Sequence, residues 1–381
     1  MPRDLHRSSY RGRRWPRRTL IGLAILVVLV PLLGIAGYFY VDSALGGIPR
    51  TAVPSLTPLQ AGQPMDLLIV GSDSRSFVKT AGQARAFGSR STQTGQRSDV
   101  LIIARFSPNG DVEMLSIPRD TWVPIAGTGG SNKINAAFNN GPNQLVRTIQ
   151  TDFGIPINHV MMANFAGFEG MVNALGGLYL DFKYPVRDQY SGLNIRQTGC
   201  QLVNGSQSLA VVRSRHLFYF EKGSWHYDGM SDWSRIQRQQ AFFHALLDRV
   251  HSVIPNLFRL NSFLNATVAD VQSDSSFASS QMLSLGLKYH SLSVSKLRSE
   301  VLPTSAAVID GQDALVAAKP YSTRTIARFL AFGKAPATTS GSGAGPHVTQ
   351  PAHKSSTSSL PPGVVTDSPQ SLPEPWNPTP C

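Results

Sequence analysis

The feature that most constrains this chain is a long uncharged stretch near its start. Residues 19–41 form 23 consecutive positions without Asp, Glu, Lys or Arg. As a helix rising about 1.5 Å per residue, the stretch spans roughly 33 Å, enough to cross a hydrocarbon core of about 30 Å. We predict one uncleaved transmembrane helix. The alternative is a signal peptide, for which the small residues at 43–46 offer a weak cleavage site.

Positive charge is concentrated on one side of this stretch. Residues 1–18 contain seven arginines against a single acidic residue, Asp4, and so carry half of the net charge of +12. Arginine-rich flanks remain in the cytoplasm, so we expect a cytoplasmic basic tail and an extracytoplasmic remainder. Topology and contact with anionic lipid explain such a tail. The basic balance therefore does not indicate a nucleic-acid partner.

The rest of the chain divides by composition into three parts. Residues 42–63 are typical of a stalk, 64–333 of a globular catalytic domain, and 334–381 of a disordered tail rich in Pro, Ser and Thr. We expect this tail to be dispensable for folding. The two cysteines, Cys200 and Cys381, do not indicate a disulfide scaffold, and the sequence offers no basis for pairing them.

Within the globular part, strand-like and helix-like segments alternate. Short apolar runs predict strands at Met65–Gly71, Val100–Ser107 and Val112–Ile117. Helical spacing of apolar residues predicts helices at Asn164–Leu175 and Ser231–Val250. This alternation favours an α/β or α+β sandwich.

Two aspartates stand at the ends of predicted strands. Asp73 follows the first strand together with Arg75, and Asp99 directly precedes the second. Loops at strand ends are common places for functional sites, and paired carboxylates suit a hard cation such as Mg²⁺. Each aspartate taken alone is also consistent with an ordinary turn or helix cap.

Arginines gather at three further points of the sequence. Arg119 follows the third strand, and Arg213 and Arg215 share one face of any extended segment because side chains alternate. On the second predicted helix Arg235 and Arg238 share a side with Asp232 and Gln239, by i, i+3 and i, i+4 spacing. Guanidinium groups bind phosphate oxygens in a bidentate way, so these residues indicate a pyrophosphate site. A surface network of salt bridges is the alternative.

The order of these motifs resembles the LytR–CpsA–Psr family. The matching segments, together with the N-terminal anchor, are Leu68–Arg75 (LIVGSDSR), Arg97–Leu101 (RSDVL), Ser116–Thr121 (SIPRDT), Asn132–Asn135 (NKIN), Ala174–Gly177 (ALGG), Gly199–Cys200, Asn204–Gly205, Val212–Arg215 (VRSR) and Asp232–Gln240 (DWSRIQRQQ). They cover about 180 residues. Each motif is weak by itself, but their common order is specific.

The resemblance implies a three-layer α/β/α sandwich with a hydrophobic pocket for a prenyl chain. Phe165, Phe168, Met171 and Leu175 are candidates for lining this pocket, although ordinary core packing explains each equally well. The implied activity is that of a phosphotransferase, which moves a glycopolymer from a polyprenyl-pyrophosphate carrier to a muramic-acid hydroxyl of peptidoglycan. Mg²⁺ or Mn²⁺ is the implied cofactor. Membrane lipid is expected as a further partner, and nucleic acid is not.

The resemblance also assigns roles to individual residues. Asp73 and Asp99 are the implied metal ligands and, with Arg119, the catalytic residues. The implied pyrophosphate-binding residues are Arg75, Arg119, Arg213, Arg215, Arg235, Arg238 and Gln239. Asp99 is our candidate for the base that accepts the hydroxyl proton.

Two rival functions are compatible with the same residues. A polyprenyl-pyrophosphate hydrolase uses water in place of the sugar hydroxyl, and the same chemistry as a side reaction would give the transferase pyrophosphatase activity. A non-catalytic regulator or glycan-binding anchor of the cell wall does not need paired aspartates and arginines on a shared face.

Two segments depart from the family pattern: residues 76–96 are longer than the usual link, and 218–227 form an aromatic insertion suited to lipid, sugar or membrane.

Overall fold

The computed structural model describes residues 35–72, 98–229, 232–253, 256–290, 292, 297–334, 364–365 and 376–381. The basic tail, most of the predicted membrane span and the segment 76–96 lie outside this part of the chain. Residues 35–46 are helical. Over the described residues, every helix is too short or too polar to span a bilayer. The anchor at 19–41 therefore stays a prediction.

Strands and helices alternate along the described chain. The helices are α1 (35–46), a 3-10 helix (Ile134–Asn140), α2 (Pro142–Phe153), α3 (Phe165–Ala174), α4 (Gly205–Arg213), α5 (Asp232–Val253), α6 (Leu257–Asp270), α7 (Ser279–Lys288) and α8 (Tyr321–Ala331). The strands are β1 (Arg50–Thr51), β2 (Met65–Ser72), β3 (Ser98–Phe106), β4 (Val112–Ser116), β5 (Trp122–Pro124), β6 (Ser131–Lys133), β7 (His159–Asn164), β8 (Leu178–Phe182), β9 (Val186–Asp188), β10 (Leu193–Ile195), β11 (Gly199–Val203), β12 (Phe218–Glu221), β13 (Ser224–Tyr227), β14 (Val271–Asp274), β15 (Leu297–Val301), β16 (Thr304–Ile309), β17 (Gln312–Ala317), β18 (Val364–Val365) and β19 (Thr379–Pro380). The predicted strands and helices are confirmed, with ends that differ by no more than three residues.

The largest sheet has seven strands in the order β1-β14-β7-β2-β3-β4-β15. Its pairing is mixed, because β2 runs parallel to β7 and antiparallel to β3. Strand β3 shows why the sheet is covered on both faces. Leu101 and Ile103 pack into the first core on one face, and Ile102 and Ala104 pack into a separate apolar cluster on the other face. A near-continuous apolar strand of this kind requires helices on both sides.

Helices meet that requirement. Residues of α2 and α8 contribute to the first core, whereas residues of α5 and α7 pack against the opposite face. The expected mixed α/β fold with a large central sheet is therefore confirmed. The described residues place helix α1 beside α6, where the Tyr40 hydroxyl donates a hydrogen bond to Asn261.

A second core lies beside the large sheet. It is formed by apolar residues of strands β8 to β11 and helices α3, α4 and α5, among them Leu180, Val186 and Leu209. The helix α4 begins at a capping box, in which Asn204 and Gln207 satisfy each other's backbone amides. The site described below lies between this core and the large sheet.

The end of the chain corrects two sequence-based expectations. Cys381 forms a disulfide with Cys200, 181 residues earlier, although the sequence offered no basis for the pair. Strand β8 lies between β11, which carries Cys200, and β19, which pairs with the other edge of β8. The last six residues, 376–381, are thus folded onto the domain and are not part of a disordered tail. The pairing arises because β8 offers an open edge to a segment that is remote in sequence.

Candidate active site

A cavity of about 260 Å³ opens where the central strands β2, β3 and β7 meet the second core. Its wall on the sheet side consists of residues at the end of β2, the start of β3 and the end of β7. Its other walls come from α3, α4 and α5. The lining residues are Ile69, Val70, Gly71, Asp99, Val100, Arg119, Ala163, Asn164, Phe165, Phe168, Met171, Val172, Leu209, Val212, Arg213, Arg215, Arg235, Gln239, Phe242, Phe243 and Leu246.

The pocket has one polar end and one apolar end, and helix α5 runs between them. Arg235 and Gln239 line the pocket from the first two turns of α5, and Phe242 and Leu246 line it from the following turns. A helix places residues three and four apart on the same side, which is why a single face carries this gradient. The pocket therefore suits an amphiphile with an anionic head and an apolar chain.

The aromatic wall of the pocket agrees with the sequence-based expectation at three of four positions. Phe165, Phe168 and Met171 line the cavity, whereas Leu175 is fully buried in the second core. Helix α3 begins directly at Phe165 because the side chain of Asn164 caps it, accepting a hydrogen bond from the Gly167 amide at 2.8 Å.

Arg213 is held over this wall. Its guanidinium carbon lies 4.5 Å from the centre of the Phe165 ring. A cation above an aromatic face is attracted by the electrons of the ring, so Phe165 orients the guanidinium as well as closing the pocket. Burial raises the pKa of nearby Glu169, and the charge of Arg213 opposes that rise.

Arg215 is positioned through its backbone by a carboxylate that the sequence did not single out. One oxygen of Asp188 accepts hydrogen bonds from the Ser214 hydroxyl at 2.7 Å and from the amides of Arg215 and His216 at 3.0 Å each. Burial opposes ionisation of Asp188, but the hydrogen bonds from Ser214, His216 and Tyr190 outweigh it and lower the pKa. A charged Asp188 therefore fixes the turn that presents both arginines. Only tertiary contact reveals this role.

At the mouth of the pocket, Asp99 and Arg119 form an ion pair. Arg119 also reaches Asp120 at 3.4 Å, and Asp120 lies 3.7 Å from the ammonium group of Lys133. These alternating charges border a second, polar cavity of about 800 Å³. Asp99, Arg119 and Arg215 line both cavities. The arginine-rich end of the pocket thus opens into a polar cleft.

Arg238 is not among the described residues that line the pocket. Its side chain is fully buried and donates hydrogen bonds to the Ser214 carbonyl at 2.6 Å and to Asn377 at 2.7 Å. It also pairs with Asp228 at 3.4 Å. The structure places Arg238 behind the site, where it supports the segment that carries Arg213 and Arg215.

Three of the sequence-predicted site positions lie outside what the structure describes. Asp73 and Arg75 fall in the undescribed segment 73–97, and the side chain of Asp232 is likewise undescribed. Within the described ranges, no group of three or more His, Cys, Asp or Glu residues is arranged to hold a metal ion. Asp99 is the one predicted metal ligand whose surroundings are visible, and its carboxylate faces the cationic mouth of the pocket.

An apolar pocket that ends in arginines and an aspartate, at the ends of the central strands of a mixed sheet, is typical of proteins suited to anionic amphiphiles. The LytR_cpsA_psr family model matches residues 48–328 of this chain, and the chain belongs to that family. The resemblance noted in the motifs is therefore confirmed.

Individual relatives agree with this assignment. The probable cell wall biosynthesis protein LcpB of Corynebacterium glutamicum is 33% identical over 186 residues, which cover 49% of this chain and 42% of LcpB. The polyisoprenyl-teichoic acid–peptidoglycan teichoic acid transferase TagU of Halalkalibacterium halodurans is 28% identical over 256 residues, covering 67% of this chain and 78% of TagU. The solved LytR-Csp2A-Psr enzyme from Actinomyces oris superposes with a TM-score of 0.59 at 25% identity, covering 74% of this chain and 95% of that structure.

Proposed function

We propose that this protein transfers a glycopolymer from a polyprenyl-pyrophosphate carrier to peptidoglycan during cell-wall assembly. The observation that carries the proposal is the gradient along α5, from Arg235 and Gln239 to Phe242 and Leu246. The apolar part suits the prenyl chain, and the arginine end suits the pyrophosphate. The names of LcpB and TagU, a cell-wall biosynthesis protein and a teichoic acid transferase, support the same function.

The reaction follows from the chemistry of a pyrophosphate. The acceptor hydroxyl oxygen attacks the phosphorus that carries the sugar, and the bond from that phosphorus to the prenyl phosphate oxygen breaks. The hydroxyl proton passes to a base, and prenyl phosphate leaves with the bonding electron pair. Charge then accumulates on the phosphoryl oxygens and on the leaving group.

The arginines stabilise that charge. Arg213, Arg215 and Arg235 line the polar end, and preorganised donors of this kind act strongly where water is excluded. Arg119 holds Asp99 at the opening into the polar cleft. We assign Asp99 as the base that accepts the proton, since the acceptor hydroxyl has to enter from the polar side.

A divalent cation, Mg²⁺ or Mn²⁺, fits the donor set as a proposal. Asp99 supplies a carboxylate at the pyrophosphate end, and Asp73, which the structure does not describe, is the second ligand predicted from the sequence. Magnesium sites commonly use one or two carboxylates together with substrate phosphates. When bound, the cation would neutralise part of the pyrophosphate charge.

The location of the reaction is also a proposal. With the predicted anchor at 19–41 and the arginine tail in the cytoplasm, the catalytic domain lies outside the membrane, where peptidoglycan is found. Its prenyl-linked substrate then reaches the pocket from the outer leaflet.

Release of prenyl phosphate tests the function. We would incubate the full chain, in detergent, with an undecaprenyl-pyrophosphate-linked disaccharide and Mg²⁺, with and without peptidoglycan. Release that depends on peptidoglycan supports transfer. Equal release without peptidoglycan would identify a hydrolase, and binding without release would identify a non-catalytic protein.

A matched pair of variants ties the activity to the pocket. Arg215→Ala removes a lining arginine, and Arg324→Ala removes an exposed arginine on α8. Release should fall in the first variant and remain at the wild-type level in the second. Equal activity of the two variants would contradict the proposed site.

A further inference from the structure

A second surface next to the site carries chemistry that the proposed reaction has not used. Strands β10, β9, β12 and β13 form a four-stranded sheet in that order. Side chains alternate between the faces of a strand, so the sheet has an inner and an outer face. The inner face belongs to the second core, through Val186, Leu193, Ile195 and Tyr219.

The outer face, which we call the aromatic face, carries rings between polar groups. One row of residues crosses all four strands. Arg187 of β9 lies opposite Asn194 of β10 and Phe218 of β12, and Phe218 lies opposite Tyr227 of β13. The next row pairs Phe220 with Trp225. The aromatic face is therefore defined by Arg187, Asn194, Phe218, Phe220, Trp225 and Tyr227.

Contacts within the aromatic face orient its rings. The Arg187 guanidinium carbon lies 4.0 Å from the centre of the Trp225 ring, and the Phe220 and Trp225 rings are 5.4 Å apart. Trp225 and Phe220 are each 37% exposed, and Tyr227 is 46% exposed. A cavity of about 550 Å³ lies against Arg187, Asn194 and Trp225. Large rings that stay exposed and are held by neighbours are suited to binding.

The aromatic face is linked to the proposed catalytic site through Asp188. Strand β9 ends at Asp188, the carboxylate that binds the amides of Arg215 and His216. Asp188 also borders the cavity beneath the aromatic face. The turn that carries Arg215 and the cavity at the aromatic face therefore share Asp188 as a common support.

The direction of the pocket indicates which substrate group arrives there. Helix α5 has 22 residues and is about 33 Å long. The C-terminal end of α5 leads to α6. Helix α6 packs along α1, with Asn261 beside Tyr40 and Val268 beside Gly47. Helices α1 and α6 thus run in the same direction, and the start of α6 lies on the side of the predicted membrane anchor. The aromatic face precedes the opposite, N-terminal end of α5.

The chemistry of the reaction separates three groups around the phosphorus. The prenyl phosphate leaves toward the apolar end, and the acceptor hydroxyl attacks roughly in line with it, from the polar cleft beside Asp99. The sugar chain of the donor is a third substituent and must leave the line of attack sideways. The polar cleft and the cavity at the aromatic face share no lining residue, so the acceptor in the cleft does not occupy this face.

We infer that the aromatic face is a binding subsite for the sugar chain of the donor substrate. The inference rests on the proposed function. A pyranose ring has a face of C–H groups that packs on Trp225 and Phe220, and its hydroxyl groups accept and donate hydrogen bonds with Asn194 and Arg187. Such a subsite holds the polymer while its terminal phosphate reacts.

Binding of two probes tests the subsite. One is farnesyl pyrophosphate, and the other is farnesyl pyrophosphate linked to a trisaccharide of N-acetylhexosamines. Calorimetry on the full chain in detergent should show tighter binding of the sugar-bearing probe, by about tenfold. Trp225→Ala should abolish most of this preference. Tyr179→Ala should preserve it, because Tyr179 is similarly exposed at 42% and lies under Arg249 on a different sheet.

The outcomes separate the subsite from the function. If neither probe binds, the proposed function fails and the subsite fails with it. If both probes bind equally to the wild type, the subsite alone is overturned. Should Trp225→Ala not fold, Asn194→Ala removes an exposed polar group from the same face and is expected to reduce the preference about threefold.

A membrane contact is the competing role for exposed aromatic rings. Amide hydrogen exchange over 218–227 distinguishes the two roles, with the full chain in nanodiscs of phosphatidylglycerol and phosphatidylcholine compared with detergent micelles. The subsite predicts protection on adding the sugar-bearing probe, and equal exchange in nanodiscs and micelles without it. Protection by nanodiscs alone would overturn the sugar subsite.

Discussion

Two arginines of α5, three residues apart, have opposite surroundings. Arg235 lines the pocket beside Arg213 and Arg215, whereas Arg238 is enclosed by Ser214, Asp228 and Asn377, which we call the Arg238 cluster. Positions three apart on a helix differ by about 60° around the axis. The difference shows that motif spacing brings both arginines to one region, and that the neighbouring groups decide which of them lines the pocket.

Ser214 joins the two regions. Its carbonyl accepts a hydrogen bond from Arg238, and its hydroxyl donates one to Asp188. The Arg238 cluster therefore supports the segment that carries the pocket arginines from outside the pocket. It also includes Asn377, close to the disulfide-bonded end of the chain.

Removing Arg238 should have the largest effect, and that effect should be on stability. Arg238→Ala breaks the buried ion pair with Asp228, and breaking a buried pair by removing one partner costs about 3–5 kcal/mol. We expect a large drop in Tm by calorimetry. Arg324→Ala serves as the control, with an unchanged Tm. A wild-type Tm in Arg238→Ala combined with lost substrate binding would place Arg238 in the site and break the comparison.

Opening the disulfide should destabilise the same region by a smaller amount. Closing a long loop with a disulfide is typically worth about 2–4 kcal/mol. A reductant should lower the Tm of the wild type and leave that of the Cys200→Ser, Cys381→Ser double variant unchanged. The chain has no other cysteines, so the double variant is a complete control. A wild-type Tm that is insensitive to full reduction would show that the C-terminal segment adds nothing to stability.

Removing a pocket arginine should instead affect turnover. Loss of a charged hydrogen bond costs about 1.5–3 kcal/mol, so Arg213→Ala and Arg215→Ala should each reduce prenyl phosphate release by roughly tenfold to a hundredfold. Their Tm values should stay close to the wild type. Asp99→Ala should reduce release at least as much and remove the benefit of added Mg²⁺. Near-normal turnover in both Arg213→Ala and Asp99→Ala would contradict the site.

The smallest effect concerns pH and Asp188. Because the pKa of Asp188 is lowered in the folded protein, its charged form stabilises the fold above about pH 4, and this contribution is lost as the pH falls further. Asp188→Asn should lower stability by about 1 kcal/mol at pH 7. The difference in Tm from the wild type should stay constant from pH 8 to 5 and shrink below pH 4. A difference that grows toward low pH would refute a charged Asp188.

The local structure was largely predictable from the sequence, because it depends on neighbouring residues. The apolar runs of β2, β3 and β4 are short and bounded by turn residues, and their strands lie where the pattern places them. The same is true of α3 and α5, whose apolar faces repeat at helical spacing. The ordered motifs also contain Asp99, Arg119, Arg213, Arg215, Arg235 and Gln239, and the structure brings all six to the lining of one pocket.

Tertiary contacts decided the rest. Asp188 ends a three-residue strand with no distinctive motif, and its importance comes from Ser214, Arg215 and His216 folding against it. The pair Cys200–Cys381 and the place of Arg238 both depend on where the end of the chain docks. Sequence alone determined which segments form strands and helices and which motifs belong to one site. Burial and long-range pairing decided which arginines line the pocket and which are buried behind it, because the free energy of a charge depends on the groups that surround it in the folded protein.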